Sequence, residues 1–264
     1  MKVLQISYLK SGSYLLWKIL HEILSIKIDI KSFIESHPMQ NSRDTTQFQF
    51  LSIDNFKIDE ILIQNDAPWW VIGSQHKERI DNFSEYVDHV SHVWTHSYVC
   101  DRTLDIYNYF DKLFYIYRDP RDSLVSMAHF AFTPFMQAYH PHDSKTPAEY
   151  MEKNLDSFIS NWQEHVSKHR ALDKASPIHF IKYEDLISNP DAIVLDILRS
   201  LGFGLSKLEL DKVLQAISFS EMKKSAPQHV RTGTKGGFKN EMPKELISRI
   251  DAMCGELLLE LGYE

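Results

Sequence analysis

Short apolar runs alternate along the chain with segments whose apolar residues recur at helical spacing. Val3–Ser7 is a short apolar run and predicts a buried strand. Residues 9–13 form a turn, and the apolar spacing from Tyr14 to Ser25 predicts a helix. A strand, a glycine-containing turn and a helix in this order begin a βαβ unit.

The same alternation continues towards the C-terminus. Three further strands are predicted, at 92–97, 112–117 and 177–182. Asp101 is predicted to cap a helix that runs to Phe110, and Pro120 to begin one that continues to Phe130. Further helices are predicted at 148–169, near 190–201 and 206–215, and at about 243–261. Residues 30–90 show no clean period, and we interpret them as helices and loops.

Strands that alternate with helices predict an α/β fold with a mainly parallel central sheet flanked by helices. Its N-terminal part is a P-loop-like strand, turn and helix. No repeat, low-complexity tract or Gly/Ser linker divides the 264 residues, so residues 1–264 are interpreted as a single domain. A chain of this length buries roughly 70–75% of its unfolded surface and needs neither disulfides nor metal to fold.

Composition and charge narrow the class of protein. Apolar residues make up 43% and charged residues 25%, as in globular proteins. The net charge of −7 argues against nucleic acid as a partner, because nucleic-acid binding needs a basic excess. No apolar run approaches the ~20 residues that span a bilayer, so neither a membrane span nor a signal peptide is expected. The two cysteines form no disulfide framework, which favours a cytoplasmic location.

Polar and charged residues follow each predicted strand, where ligands of open α/β sheets bind. They are Lys10–Tyr14 after the first strand, His96 after the second, Arg118–Asp122 after the third and Tyr183–Asp185 after the fourth. The turn at 10–14 opens a helix, whose free N–H groups and dipole favour a phosphate. Arg118 and Ser126 suit a second phosphate, and Arg231 lies in another basic, glycine-rich loop.

Several segments resemble, in the same order, the cytosolic type of PAPS-dependent sulfotransferases, in which PAPS is 3′-phosphoadenosine 5′-phosphosulfate. YLKSGSYLLW at 8–17 is similar to the 5′-phosphosulfate loop of that family, and YIYRDPRDSLVSMAHF at 115–130 to its 3′-phosphate motif. The remaining similar segments are NWQEHV at 161–166, KYEDL at 182–186, SFSEMKK at 218–224 and RTGTKGGFKN at 231–240. The chain length and the early first strand favour a bacterial-like enzyme that acts on small molecules.

The resemblance implies transfer of a sulfuryl group from PAPS to a hydroxyl, or an amine, of a small-molecule acceptor. It implies that His96 is the general base and that Lys10 stabilises the leaving phosphate. Around the 5′-phosphate it places Lys10, Ser11, Gly12, Ser13, Tyr14 and Leu15. Around the 3′-phosphate it places Arg118, Ser126, Arg231, Thr232 and Gly233, and beside the adenine Tyr183 and Phe219.

The sequence departs from the family pattern at several of these positions. Tyr14 and Leu15 stand where the family has Thr and an adenine-stacking Trp, so Trp17 or Phe219 is the alternative stacking partner. Trp94 replaces a lysine two residues before the base. The other replacements are Thr232 for a Lys and Gly237–Phe238 for Asp–Trp. The family's K-T-V-E dimer segment is absent after residue 239, so that type of dimer is not expected.

Alternative functions remain open from the sequence. A P-loop-like nucleotide kinase is disfavoured because Lys10 precedes the only glycine of the turn, unlike a Walker A loop. The departures also leave open a catalytically weakened nucleotide-binding module. Two sets of residues have spacings that suit zinc, namely Asp88, His89, His92 and His96, and His140, His142 and Asp143. Without a Cys ligand or an H-E-x-x-H pattern, no metal is expected.

The role of the aromatic residues also remains open. One set could line an acceptor pocket or a lid, or equally belong to the core: Trp69, Trp70, Phe130, Phe132, Phe135 and Tyr139.

Overall fold

The computed structural model describes residues 1–37, 57–72, 76–227 and 230–263. Within these ranges seven strands form one sheet in the order β4-β3-β2-β5-β1-β6-β7. The strands are β1 Val3–Ser7, β2 Asp59–Ile63, β3 Pro68–Ile72, β4 His76–Arg79, β5 His92–Thr95, β6 Lys112–Tyr117 and β7 Ile178–Lys182.

The centre of the sheet is parallel, as predicted. β1 pairs in parallel with β5 and with β6, β6 with β7, and β2 with β5. β3 and β4 run antiparallel at one edge. The interpretation of 30–90 as helices and loops was wrong for these edge strands and for β2. The apolar pattern did not indicate these strands because β2 begins with two acidic residues and β4 (HKER) contains no apolar residue.

Thirteen helices connect and cover the strands of the described residues. They are α1 Ser13–Lys27, α2 Phe33–Ser36, α3 Phe83–Asp88, α4 Thr103–Tyr107, α5 Pro120–Ala131, α6 Pro134–Tyr139, α7 Pro147–Leu172, α8 Tyr183–Ser188, α9 Pro190–Leu201, α10 Lys207–Ala216, α11 Phe219–Ser225, α12 Phe238–Glu241 and α13 Lys244–Glu260. The helices expected at α1, α5, α7, α9, α10 and α13 are therefore present. None of the helices in this part of the chain is both long and apolar enough to cross a membrane.

One predicted helix start differs in the structure. Asp101 does not cap α4, whose first residue is Thr103 and whose N-cap position is Arg102. The hydroxyl of Thr103 instead accepts a hydrogen bond from the Cys100 N–H at 2.8 Å, which holds the chain in a turn before the helix.

Each face of the sheet packs against its own helices. Successive residues of β1 point to opposite faces, so Leu4 packs into one apolar cluster and Val3 into another. The Leu4 cluster includes residues of α7 and α13, and the Val3 cluster includes residues of α1 and α9. The carboxyl ends of the parallel strands therefore remain at one open edge between two helical layers. The interpretation of residues 1–264 as a single domain stays a prediction.

Candidate active site

A cavity of about 730 Å³ lies at the edge where the parallel strands end. It is lined by the segments that follow β1, β5 and β6, by the start of α8, and by residues from the end of α10 to 233. Every site residue proposed from the sequence lines it except Ser11. Ser11 is fully buried beneath the turn, and its hydroxyl has no hydrogen-bond partner among the described residues. The structure thus brings the predicted residues together from across the chain.

The turn between β1 and α1 presents backbone N–H groups to the cavity. Lys10 and Gly12 both have positive φ, at 62° and 99°, and Gly12 is the N-cap residue of α1. The first N–H groups of a helix have no partner within it, and glycine offers no side chain to bind them. A Cβ at Gly12 would lie 2.5 Å from Cδ2 of Tyr183, so the close approach of Tyr183 also requires glycine. The turn can therefore bind an anion through its backbone.

Buried hydrogen bonds fix this turn on the sheet. The side-chain amide of Gln5 donates to the carbonyl oxygen of Ser13 at 2.6 Å. The hydroxyls of Ser7 and Ser13 are 2.7 Å apart and share a hydrogen bond. Both anchoring residues belong to β1, so the start of α1 is held rigidly at the end of the central strand.

Three cationic side chains face the cavity from distant parts of the chain. Burial and the positive charges of Arg118 and Arg231 together lower the pKa of Lys10 to about 7. The ammonium of Lys10 lies 3.8 Å from the centre of the Phe130 ring. Because these charges oppose one another in the free protein, an anion bound among them relieves the repulsion.

Arg118 joins the two loops that border the cavity. Its guanidinium donates to the carbonyl oxygen of Lys10 at 3.4 Å and to that of Thr234 at 3.0 Å. Its Cζ lies 4.3 Å from the centre of the Tyr183 ring. Nε of Arg118 is buried and has no hydrogen-bond partner among the described residues, so a donor remains for a ligand.

His96 has one ring nitrogen tied to the sheet and the other available. Nδ1 lies 2.8 Å from the carbonyl oxygen of Ser7, and because a carbonyl only accepts, Nδ1 carries the proton. Burial lowers the pKa of His96, as does the charge of Lys10, although the bond to Ser7 raises it. The neutral imidazole therefore presents an unprotonated Nε2, which is the form a general base requires.

Glu241 fixes the position of Arg231. The two carboxylate oxygens of Glu241 accept hydrogen bonds from the two terminal nitrogens of Arg231, both at 2.9 Å. Nε2 of His129 lies 2.7 Å from the same carboxylate. The sequence analysis identified Arg231 but not Glu241, because nothing in the sequence indicates that these two side chains meet.

Asp122 holds the glycine-rich loop against the cavity. Its carboxylate accepts hydrogen bonds from the N–H groups of Gly236 at 2.6 Å and Phe238 at 2.9 Å. In the same loop a Cβ at Gly233 would lie 2.7 Å from the Phe219 ring, so only glycine allows this contact. Phe219 is 51% exposed, which leaves its ring available at the cavity wall.

A family model described as the sulfotransferase domain matches residues 1–262. The chain belongs to this sulfotransferase family. A curated relative, sulfotransferase 1A1 of Rattus norvegicus, is 26% identical over 171 residues, which are 58% of this chain and 57% of the rat protein. The chain thus aligns with little more than half the length of this relative.

Solved sulfotransferase structures share the fold. A mouse sulfotransferase crystallised with PAP, the desulfated form of PAPS, has a TM-score of 0.65 and 20% identity over 97% of this chain and 83% of its own. Retinol dehydratase, crystallised with androsterone and PAP, has a TM-score of 0.63 and 16% identity, covering 97% of this chain and 80% of its own. At these identities the likeness shows the α/β, P-loop-like fold. The roles of individual residues remain predictions.

The residues that depart from the sulfotransferase family pattern lie in different parts of the structure. Trp94 lines the cavity, 5.3 Å from the His96 ring centre. Leu15 and Phe219 also line it, whereas Trp17 is buried in the core and stacks on Tyr14. Of the two alternative adenine contacts, Phe219 lines the cavity and Trp17 does not, so Phe219 stays the prediction.

The described residues also bear on two questions left open by the sequence, namely the place of the aromatic residues and a zinc site. Phe130 and Phe135 line the cavity, whereas Trp70 is in the core. Among these residues no group of three or more His, Cys, Asp or Glu side chains could hold a metal ion. His92 packs against Trp17, and neither of its ring nitrogens has a hydrogen-bond partner among the described residues.

An acidic residue beside His96 was not predicted from the sequence. Glu60 on β2 lines the same wall as Trp94 and His96. Burial raises the pKa of Glu60 and hydrogen bonding from the Trp94 side chain lowers it, and the net result is a pKa of about 7. Its position depends on a strand that the pattern did not predict, so no sequence signal placed it here.

Proposed function

We propose that this protein is an enzyme that transfers the sulfuryl group of PAPS to a hydroxyl group of a small-molecule acceptor. The observation that carries the proposal is the convergence of Lys10, Arg118 and Arg231 on one cavity wall, with His96 in the same cavity. Membership of the sulfotransferase family and the PAP-containing structural relatives support it. The cavity volume is within the range usual for small-molecule sites, which supports a small acceptor.

The residues at the turn fit the 5′ end of PAPS. The N–H groups at the start of α1 donate to the 5′-phosphate, with Gly12, Ser13 and Tyr14 at the cavity wall. Lys10 donates to the phosphate oxygen on which negative charge develops as the sulfuryl group departs. Because that charge is largest in the transition state, the contact accelerates the reaction rather than only tightening binding. Loss of one such contact typically costs ~3–4 kcal/mol.

Other residues of the cavity fit the 3′-phosphate and the adenine. Arg118 and Arg231 provide charge and directed donors, and Ser126 provides a hydroxyl. The N–H groups near Thr232 and Gly233 face the same space, while the rings of Tyr183 and Phe219 border the base. PAPS, when bound, supplies an activated sulfuryl group, so that the protein has only to position and stabilise.

His96 completes the mechanism at the acceptor side. Nε2 accepts the proton of the acceptor hydroxyl as its oxygen attacks sulfur, while Nδ1 stays bonded to Ser7 and fixes the ring. Deprotonation raises the nucleophilicity of the oxygen at the moment of attack. General base catalysis usually contributes roughly 10²–10⁴-fold to the rate, so removal of this base should lower the rate by about that factor.

A cytoplasmic location is part of this proposal. Cys100 and Cys254 are both free thiols, which is typical of proteins in a reducing compartment. We propose no nucleic-acid or membrane partner, in keeping with the net charge of −7.

The proposal is tested by ligand-dependent unfolding followed by turnover. PAP at about 100-fold over its Kd should add ~2.7 kcal/mol to the free energy of unfolding, and ATP with Mg²⁺ should add much less. Incubation with labelled PAPS and a panel of phenols and alcohols should then yield a labelled product. Equal stabilisation by ATP would favour a nucleotide kinase, and an absence of PAP stabilisation would refute the proposal.

A second candidate function is favoured by Trp94. An indole stands at the cavity wall where the family pattern has a lysine, which removes one charge beside the reacting group. Strong stabilisation by PAP without sulfated product from any acceptor would therefore favour a nucleotide-binding module over an enzyme.

A further inference from the structure

The cavity wall near His96 carries a carboxyl group that the proposed mechanism does not use. Glu60 of β2 pairs in register with Trp94 of β5, and both line the cavity. His96 follows Trp94 by two residues, and the Trp94 and His96 rings are 5.3 Å apart. From the rise of a strand and the spacing between strands, Cα of Glu60 and Cα of His96 lie roughly 8 Å apart. Glu60 is therefore beside the region where an acceptor must lie.

The carboxyl of Glu60 lacks a compensating charge in the described residues. The Trp94 side chain is the one group there that favours its ionised form. Nε1 of Trp94 acts on Glu60 but makes no hydrogen bond of good geometry in the same part of the chain, so the indole compensates the carboxyl only in part. A carboxylate shielded from water costs free energy unless a cation or several donors face it.

The cations of the cavity are grouped around Lys10 and do not act on Glu60. Arg118 and Arg231 both lower the pKa of Lys10, which shows that these three charges are close to one another. None of them contributes to the pKa of Glu60. The cavity therefore holds a group of cations that suits phosphates, and a carboxyl group beside Trp94 that none of these cations compensates.

We propose that Glu60 binds a protonated amino group of the acceptor, which is therefore a compound with both a hydroxyl group and a basic amine. This inference rests on the sulfuryl transfer proposed above. The hydroxyl faces His96 and the ammonium pairs with Glu60, so the two groups are roughly 5–8 Å apart, as the strand spacing requires. An ammonium fits better than a neutral donor because its positive charge balances the negative charge of the Glu60 carboxylate. The neighbouring indole of Trp94 adds a ring face that attracts cations.

Matched acceptors test the proposal. Tyramine is compared with 4-ethylphenol, and 4-(aminomethyl)benzyl alcohol with 4-methylbenzyl alcohol, each pair differing in the amine. The measured quantity is kcat/KM with PAPS near pH 7. We expect at least one amine to be preferred over its neutral partner by tenfold or more, which is ~1.4 kcal/mol. Equal kcat/KM within both pairs, or no turnover of either amine, would overturn the proposal.

Two variants and one control separate recognition of the amine from general damage to the site. Glu60→Gln preserves the shape of the side chain and should remove the preference by lowering kcat/KM for the amine alone. Trp94→Lys places a cation opposite Glu60 and should remove the preference while Glu60 is retained. Asp191→Asn removes the exposed carboxyl that lines the cavity at the start of α9, and it should leave the ratio unchanged. A Glu60→Gln variant that loses activity equally on both members of a pair would contradict a role in amine binding.

PAP binding distinguishes failure of this inference from failure of the proposed function. If PAP stabilises the protein and neutral acceptors are sulfated without preference for amines, sulfuryl transfer stands and the role of Glu60 is refuted. If PAP neither binds nor stabilises, the proposed function itself fails.

Discussion

The affinity for PAP should fall steeply as the pH rises above 7, because Lys10 must be protonated to bind a phosphate. Burial and the neighbouring guanidinium groups lower the pKa of Lys10 to about 7 in the free protein. A phosphate at its ammonium favours the charged form and returns the pKa towards the ordinary value of about 10.4. Binding above pH 7 therefore requires the uptake of a proton, so the dissociation constant rises with pH.

The size of the effect follows from these two pKa values. Between about pH 7.5 and about pH 9.5 the Kd of PAP should rise roughly 70-fold, which is about 2.5 kcal/mol. The phosphates of PAP have their second pKa near 6, so their charge is constant in this interval. Isothermal titration calorimetry in buffers of different ionisation enthalpy measures both the Kd and the number of protons taken up.

Two variants assign the effect to Lys10. Lys10→Met should bind PAP more weakly at about pH 7.5 and lose most of the pH dependence. Lys10→Arg should retain a charge throughout, because the guanidinium does not deprotonate in this range. A Kd that is constant from about pH 7.5 to about pH 9.5, or a Lys10→Met variant with the same slope as the wild type, would refute the reasoning.

Three further changes should act on single parts of the site. His96→Gln should reduce kcat at least 100-fold, by the usual size of general base catalysis, while the Kd of PAP changes less than about twofold; an unchanged kcat would exclude His96 as the base. Glu241→Gln should loosen Arg231 and raise the Kd of PAP about 5–10-fold in calorimetry, as expected for the loss of one positioning ion pair, whereas an unchanged Kd would show that Arg231 needs no such support. Gly12→Ala should lower the free energy of unfolding by about 2–3 kcal/mol in urea denaturation, because its Cβ would lie 2.5 Å from Tyr183 at a φ of 99°. The control Gly202→Ala has a φ of 73° but open space, so its loss should be smaller, about 1 kcal/mol, and equal losses would contradict a clash with Tyr183.

The part of the site that we propose binds the phosphates could be predicted from the sequence because its groups lie within a few residues of strand ends. KLFYIY is apolar on both faces, so β6 was predictable, and Arg118 follows it directly. The turn after β1 likewise carries its function in adjacent residues, from Lys10 to Tyr14. These residues could be identified without knowledge of tertiary contacts, because the parallel arrangement alone brings the strand ends together.

Contacts between distant residues could not be predicted in this way. Trp17 has the ring that adenine stacking needs, but its place on the inner face of α1 puts it in the core, against Tyr14 and His92. The pairing of Arg231 with Glu241 depends on how α12 packs, and the short sequence between them gives no periodic signal.

The part of the site that we propose binds the acceptor depends on how β2 pairs with β5. This explains why Glu60 was not predicted from the sequence. β2 was not predicted, and the place of Glu60 opposite Trp94 follows only once β2 is paired with β5. The same pairing explains what changes physically when Trp94 replaces the lysine of the family pattern. A lysine at position 94 would stand beside the carboxyl of Glu60 and neutralise it, whereas an indole leaves that charge for a ligand to balance. The loss of one cation from the family pattern and the presence of an acid without a paired cation are therefore two parts of a single electrostatic change, and the cationic acceptor group that we propose would restore a balance that the described residues do not supply.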